Sequence, residues 1–285
     1  MKLSHARRSL LTLAVLSAVL TSGCGFVNNL RAKNALNEGA RAYKARQYPD
    51  AQRHFEHALE LNPDQRIAKF FRARAIHSQY KPGVEQDQNV AKAREAIKAY
   101  QDYLQIDPSS DEAYNAIVYL LRALKDEQQE REWLVQRANL ETIPAEKRSQ
   151  AFTVLASKQW QCSYNITEQK ENMQTVMQGD KAIIQYKKPA QKDYDEALKC
   201  STEGLQLAER ALSLDANSEQ AWSFKTNLLL EMVKLAKMDG NTQKADEYQK
   251  QADAAQQRTT QLNEENKRRR DEEEKAKAAK KEAAS

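Results

Sequence analysis

The chain has 285 residues, 40% hydrophobic and 30% charged, with only seven Gly and six Pro. That length suits one or two ordinary domains or a single stack of helical hairpins, and a chain so poor in helix breakers favours helix throughout. The formal net charge of +5 falls to about +2 once Lys2, Arg7 and Arg8 of the leader are set aside, which argues against a nucleic-acid binder held by phosphate attraction.

Residues 1–23 open with those basic side chains and continue in an apolar run from Leu10 to Leu20. The run is about half the ~20 residues needed to cross a bilayer, so it fits a secretory leader. Leu20-Thr21-Ser22-Gly23-Cys24 resembles the lipobox of bacterial lipoproteins. The resemblance implies cleavage before Cys24 and acylation, palmitate included, of the new N-terminus; several acyl chains give stable anchoring. Gly25 stands where an aspartate would retain such a lipoprotein at the inner membrane, so the resemblance implies the periplasmic face of the outer membrane. Residues 24–31 are expected to form the lipidated tether.

Residues 32–65 contain small residues at Gly39, Ala51 and Ala58, aromatic residues at Tyr48 and Phe55, and Pro63 at the end of the second apolar pattern. Two helices must approach closely where side chains are small, and proline stops the second. This spacing resembles a tetratricopeptide repeat, in which each helical hairpin buries its apolar face on the next. The resemblance implies an all-α fold, a TPR-like α-solenoid of about five helical hairpins over residues 32–262.

In 66–110, Ile67, Phe70, Phe71, Ala73 and Ile76 recur at helical spacing until Lys81-Pro82-Gly83. Ala96, Tyr100 and Pro108 then take repeat positions after a loop longer by about 11 residues than the repeat allows. In 111–143, Tyr114, Ile117, Val118 and Leu121 mark a helix, with Trp133, Leu134 and Val135 in the next; Glu130 and Arg137 occupy the small-residue positions, so this copy is degenerate. Pro144 opens 144–218, where Phe152, Leu155 and Trp160 mark the first helix. The long connection from Cys162 to Lys192 has room for a helical segment of its own. The motif pieces Asp193–Ala197 and Ala211–Ala216 are out of register by seven residues, which predicts a second helix two turns longer than standard. Trp222 and Ala245 in 219–262 show the same excess, so the two extensions should lie on one edge of an antiparallel stack and pack together. Gly240 and Asn241 separate that unit's helices, the last running from Thr242 to about Thr260, and 263–285 is a charged helical or disordered tail.

Cys162 and Cys200 fall at one end of the fourth hairpin, a placement compatible with a disulfide or with two buried thiols. His54 and His57 are three apart on one helix without a third ligand, so neither metal nor cofactor is expected. In the family the first helix of each repeat lines the concave face; here the matching positions are Lys33, Leu36, Ala40 and Tyr43, then Ile67, Phe70, Arg74 and His77, then Glu112, Asn115, Tyr119 and Arg122. That mixed apolar and cationic lining suits an extended peptide or a partner helix. No nucleophile, base and orienting acid stand at a recognisable spacing, which points away from an enzyme. The expected function is a membrane-anchored scaffold or adaptor that binds an envelope protein. The alternatives are an envelope enzyme or ligand-binding protein using residues 163–192, and a purely structural spacer.

Overall fold

A computed structural model describes residues 27–282, so the leader and Cys24 lie outside the described residues. Ten helices and one β-hairpin follow in order: α1 (27–44), α2 (Tyr48–Leu61), α3 (Arg66–His77), α4 (Asp87–Leu104), α5 (Asp111–Ala123), α6 (Glu127–Asn139), α7 (Ala145–Thr167), β1 (Met173–Gln178), β2 (Lys181–Tyr186), α8 (Gln191–Leu214), α9 (Glu219–Met238) and α10 (Thr242–Glu282). Residues 27–31, expected as tether, are already the first turns of α1. The described residues divide into two compact units that meet in sequence after Glu130, inside α6.

In the first unit the small residues set the approach of α1 to α2. A Cβ placed on Gly39 would lie 2.6 Å from Phe55, a distance no packed carbon tolerates. Ala51 and Ala58 are fully buried on the same face, and Ala42, Phe55 and Ala75 form one apolar cluster with Leu36, Tyr43 and Phe71 around it. The second hairpin repeats this with Ala73, Ala96 and Tyr100 buried. Its longer loop is held by the Asn89 side chain, which accepts from the Lys81 amide and donates to the Lys81 and Val84 carbonyls.

The first helices of three hairpins end in the same way. Arg46, Lys125 and Gly240 each take a positive φ, and the following amide reaches back to the carbonyl five residues earlier: Gln47 to Ala42, Asp126 to Leu121, Asn241 to Ala236. This is the left-handed C-terminal cap that usually asks for glycine. Counted from the start of each repeat at Ala32, Asp111 and Glu219, the third cap comes seven residues late, which is the two-turn extension anticipated from the motif register.

In the second unit that extension is packed as expected. Tyr194 and Ala197 at the start of α8 form one cluster with Met232 and Leu235 at the end of α9, and the Tyr194 hydroxyl donates to the Leu235 carbonyl. Gly204 permits close approach of α8 to its neighbours, since an added Cβ would sit 2.5 Å from Leu228 and 3.0 Å from the Gln159 Cβ. Cys162 on α7 and Cys200 on α8 are joined as a disulfide, with Cα atoms 6.0 Å apart.

The connection expected to hold a helical segment is instead an antiparallel β-hairpin, pairing Met173 with Tyr186 through Gln178 with Lys181 around Gly179-Asp180. The correction has a local cause. The first hexamer carries the β-branched Thr175 and Val176, the second Ile183, Ile184 and the aromatic Tyr186, and Gly179 adopts the positive φ of a tight two-residue turn. At the other end, α10 runs as one helix to Glu282, so the charged tail continues the last packed helix. Its packing reaches past Thr260: Leu262 is buried, and Asn263 and Asn266 both donate to Glu219.

Candidate functional site

The inner face of the first unit gathers side chains from α1, α3, α4 and α5 around an open cavity of about 390 Å³. Helical spacing explains the grouping: Arg74 and His77 are three apart on α3, and Glu112, Ala116 and Tyr119 follow at four and three on α5. Tyr43 arrives from the end of α1, and Tyr80 and Pro82 close one side from the loop after α3.

Arg74 is the electrostatic centre. Its guanidinium lies 5.5–5.8 Å from the ring centres of Tyr43, Phe70 and Phe71 and is 3.2 Å from a Glu112 carboxylate oxygen. Aromatic faces around a cation hold it by their quadrupoles while leaving its N–H groups for a planar acceptor. His77 Nδ1 is 3.3 Å from the Tyr100 hydroxyl, and its ring packs against Tyr119. Burial, and then the nearby Arg74 charge, lower the His77 pKa, so the imidazole is neutral at neutral pH. Burial raises the Tyr100 phenol, which stays protonated and available as a donor. The Tyr43 and Ser78 hydroxyls are 3.2 Å apart at the rim. The cavity therefore offers apolar ring walls, one cation with a partly exposed counter-ion, and neutral hydroxyl and imidazole groups.

Of the inner-face positions named from the repeat pattern, Tyr43, Arg74, His77, Glu112 and Tyr119 line this cavity. The others lie elsewhere. Lys33, Ile67 and Asn115 are exposed, Leu36 is half-buried against two core clusters, and Phe70 packs edge-on to Phe71 and Tyr100 and against Tyr103. Arg122 holds the carboxylate of Glu130, which is 1% exposed at a position the repeat normally gives to a small residue. Five further residues line it. Tyr100 stands at a packing position of the repeat, Ala116 lies on α5 between the named Glu112 and Tyr119, and Ser78, Tyr80 and Pro82 lie in the loop between helices, where repeat positions give no guidance.

The second unit holds a buried polar network that helical periodicity does not announce. Glu231 on α9 is 2% exposed, accepts from Thr167 at 2.7 Å, and pairs with Lys234, which also pairs with Glu168. The Tyr186 hydroxyl of β2 donates to the same Glu168, tying the root of the hairpin to α7 and α9. Among the described residues no group of three or more His, Cys, Asp or Glu is placed to hold a metal ion.

No protein-family model and no curated protein matches the chain. Solved structures with a similar course of helices include the MamA protein, at 12% identity and TM-score 0.39, covering 81% of this chain and 94% of that one. Another is PilF of Pseudomonas aeruginosa, at 14% and 0.37 with 79% and 91% covered. A third is a TPR-repeat protein of Bacteroides fragilis, at 16% and 0.36 with 78% and 98% covered. The likeness is one of fold alone. The fold is tetratricopeptide-like. What carries that statement is the packing itself, with Gly39, Ala51, Phe55 and Ala58 meeting across the first TPR hairpin as the repeat requires.

Proposed function

We propose that the protein is a non-enzymatic adaptor anchored to the bacterial outer membrane through acylated Cys24, whose first unit holds an extended segment or helix of another envelope protein against its inner face. The supporting observation is the convergence of Tyr43, Arg74, His77, Glu112 and Tyr119 from three successive hairpins on one open cavity. Repeat scaffolds bind through surfaces assembled in this way. The mixture of rings and one partly paired cation favours a partner with an apolar or aromatic side chain beside a polar group, and Glu112, the exposed member of the Arg74–Glu112 pair, can swing aside into water.

The test is affinity capture from envelopes with the wild type and with Arg74→Glu plus Tyr119→Asp, residues chosen because neither is in the core. The adaptor reading expects a specific partner lost from the variant while its helical signal is retained at the assay temperature. An unchanged partner set with intact folding would move the binding surface elsewhere. The lipid anchor has its own test: Cys24→Ala should release the chain from sedimented membranes, and persistence in the pellet would place the anchor elsewhere.

A further inference from the structure

The β-hairpin of the second unit is held firmly at its root, while β2 is exposed from Lys181 to Gln185. At the root, Tyr186 bonds to Glu168, Asn172 donates to the Ile166 carbonyl, and Lys188 pairs with Asp239. Beyond it, Met177 is 67% and Ile184 60% exposed, on the same face of the ribbon as Ala182. A lone two-stranded ribbon in water is marginal, so the root contacts hold a strand pair whose outer edges meet no other strand among the described residues.

The hydrogen-bond phase of that edge follows from one contact. The Lys187 amide donates to the Asn172 carbonyl, which makes 172 and 187 a bonded pair. The alternation of an antiparallel ladder then turns the amides and carbonyls of Ala182 and Ile184 outward, on the free edge of β2. Lys181 and Lys187 flank this edge, both exposed and without an ion pair among the described residues. Charge decides the occupant. Two β2 edges meeting antiparallel in the register that sets Ile184 opposite itself would place Lys181 against Lys187, so symmetric self-pairing of this edge in that register is opposed by like charge.

We infer that the free edge of β2 accepts an added strand from a partner protein, an uncharged and alternately apolar segment with a carboxylate at each end, six residues apart. Its backbone would bond Ala182 and Ile184, its apolar side chains would extend the Met177–Ile184 face, and its end carboxylates would meet Lys181 and Lys187. This surface is independent of the inner-face reading of the first unit.

The probe is a capped seven-residue peptide of alternating Thr and Val with Glu at both ends, titrated into the full mature chain and followed by amide exchange in NMR. Slowed exchange at Ala182 and Ile184, with binding about tenfold weaker for Lys181→Glu plus Lys187→Glu and recovered by the same peptide ended in Lys, is the expected result. Absence of binding, equal binding of both peptides, or binding without protection of those two amides would overturn the proposal. So would self-association of the peptide-free protein that the Glu-ended peptide disperses, since a second copy would then be the occupant.

Discussion

Glu231 and Lys234, one helical turn apart on α9, form an ion pair at 2.7 Å with the carboxylate almost wholly out of water. Lys234 also reaches Glu168, so one ammonium holds a carboxylate of α9 and the one at the C-terminal cap of α7. Removing the cation leaves Glu231 buried with only hydroxyl donors from Ser163 and Thr167. Lys234→Met should therefore destabilise the second unit by about 3–5 kcal/mol in urea unfolding. Adding Glu231→Gln to it should restore part of the loss, a coupling that a double-mutant cycle reads directly.

The same network sets a pH dependence. Burial of Glu168 works against ionisation, but the hydrogen bonds from Lys234 and Tyr186 outweigh it and hold the carboxyl below its ordinary 4.5. A depressed carboxyl contributes stability above that value and loses it as pH falls through the folded value. Lys234 is opposed by burial yet held above 10.5 by Glu168 and Glu231, so its contribution is intact below 10.5 and lost as pH rises past the folded value. Stability contributed by this root should be flat between the two limits, and the protection of β2 amides, measured against the intrinsic exchange rate at each pH, should fall first on acidification below the glutamate range. An equal loss of protection in the first unit would show a global effect instead.

The bridge between Cys162 and Cys200 closes a 38-residue separation that contains the hairpin. In the chain-entropy model such a closure is worth about 4 kcal/mol. Reduction, or Cys162→Ser plus Cys200→Ser, should lower the urea midpoint of the second unit by a corresponding amount while leaving the first unit unchanged.

Arg46 occupies a left-handed cap, a conformation that crowds its Cβ. Arg46→Gly should stabilise the first unit by about 0.5–1 kcal/mol. Gly39→Ala should do the reverse, by about 1–3 kcal/mol, because Phe55 stands 2.6 Å from the new methyl. Thermal unfolding of the two variants gives shifts of opposite sign if both accounts hold.

The parts of the fold legible in the sequence are those fixed by packing geometry. Gly39 against Phe55 and the seven-residue lag of Ala245 each follow from a spacing that only stacked hairpins explain. The β-hairpin is hard to read from sequence because Met173–Gln178 and Lys181–Tyr186 are short and lie between strong helices, although the Gly179-Asp180 pair between two β-prone runs is a turn signal. Glu130 read as a broken repeat position, yet its burial is made possible by Arg122, a partner eight residues earlier that no single-position pattern reveals. For the cavity, Arg74, His77, Glu112 and Tyr119 followed from the repeat positions, while Tyr80 and Pro82 depended on a loop path that periodicity does not describe.

The central claim, that the inner face of the first unit carries the partner, is tested most directly by a photo-crosslinking residue placed at Tyr119 in living cells. A second probe belongs at Lys98, which is exposed on α4 and does not line the cavity. The account predicts a discrete covalent adduct with one envelope protein at Tyr119, lost with Arg74→Glu, and none at Lys98. Equal adducts at both positions, or adducts at Lys98 alone, would contradict it.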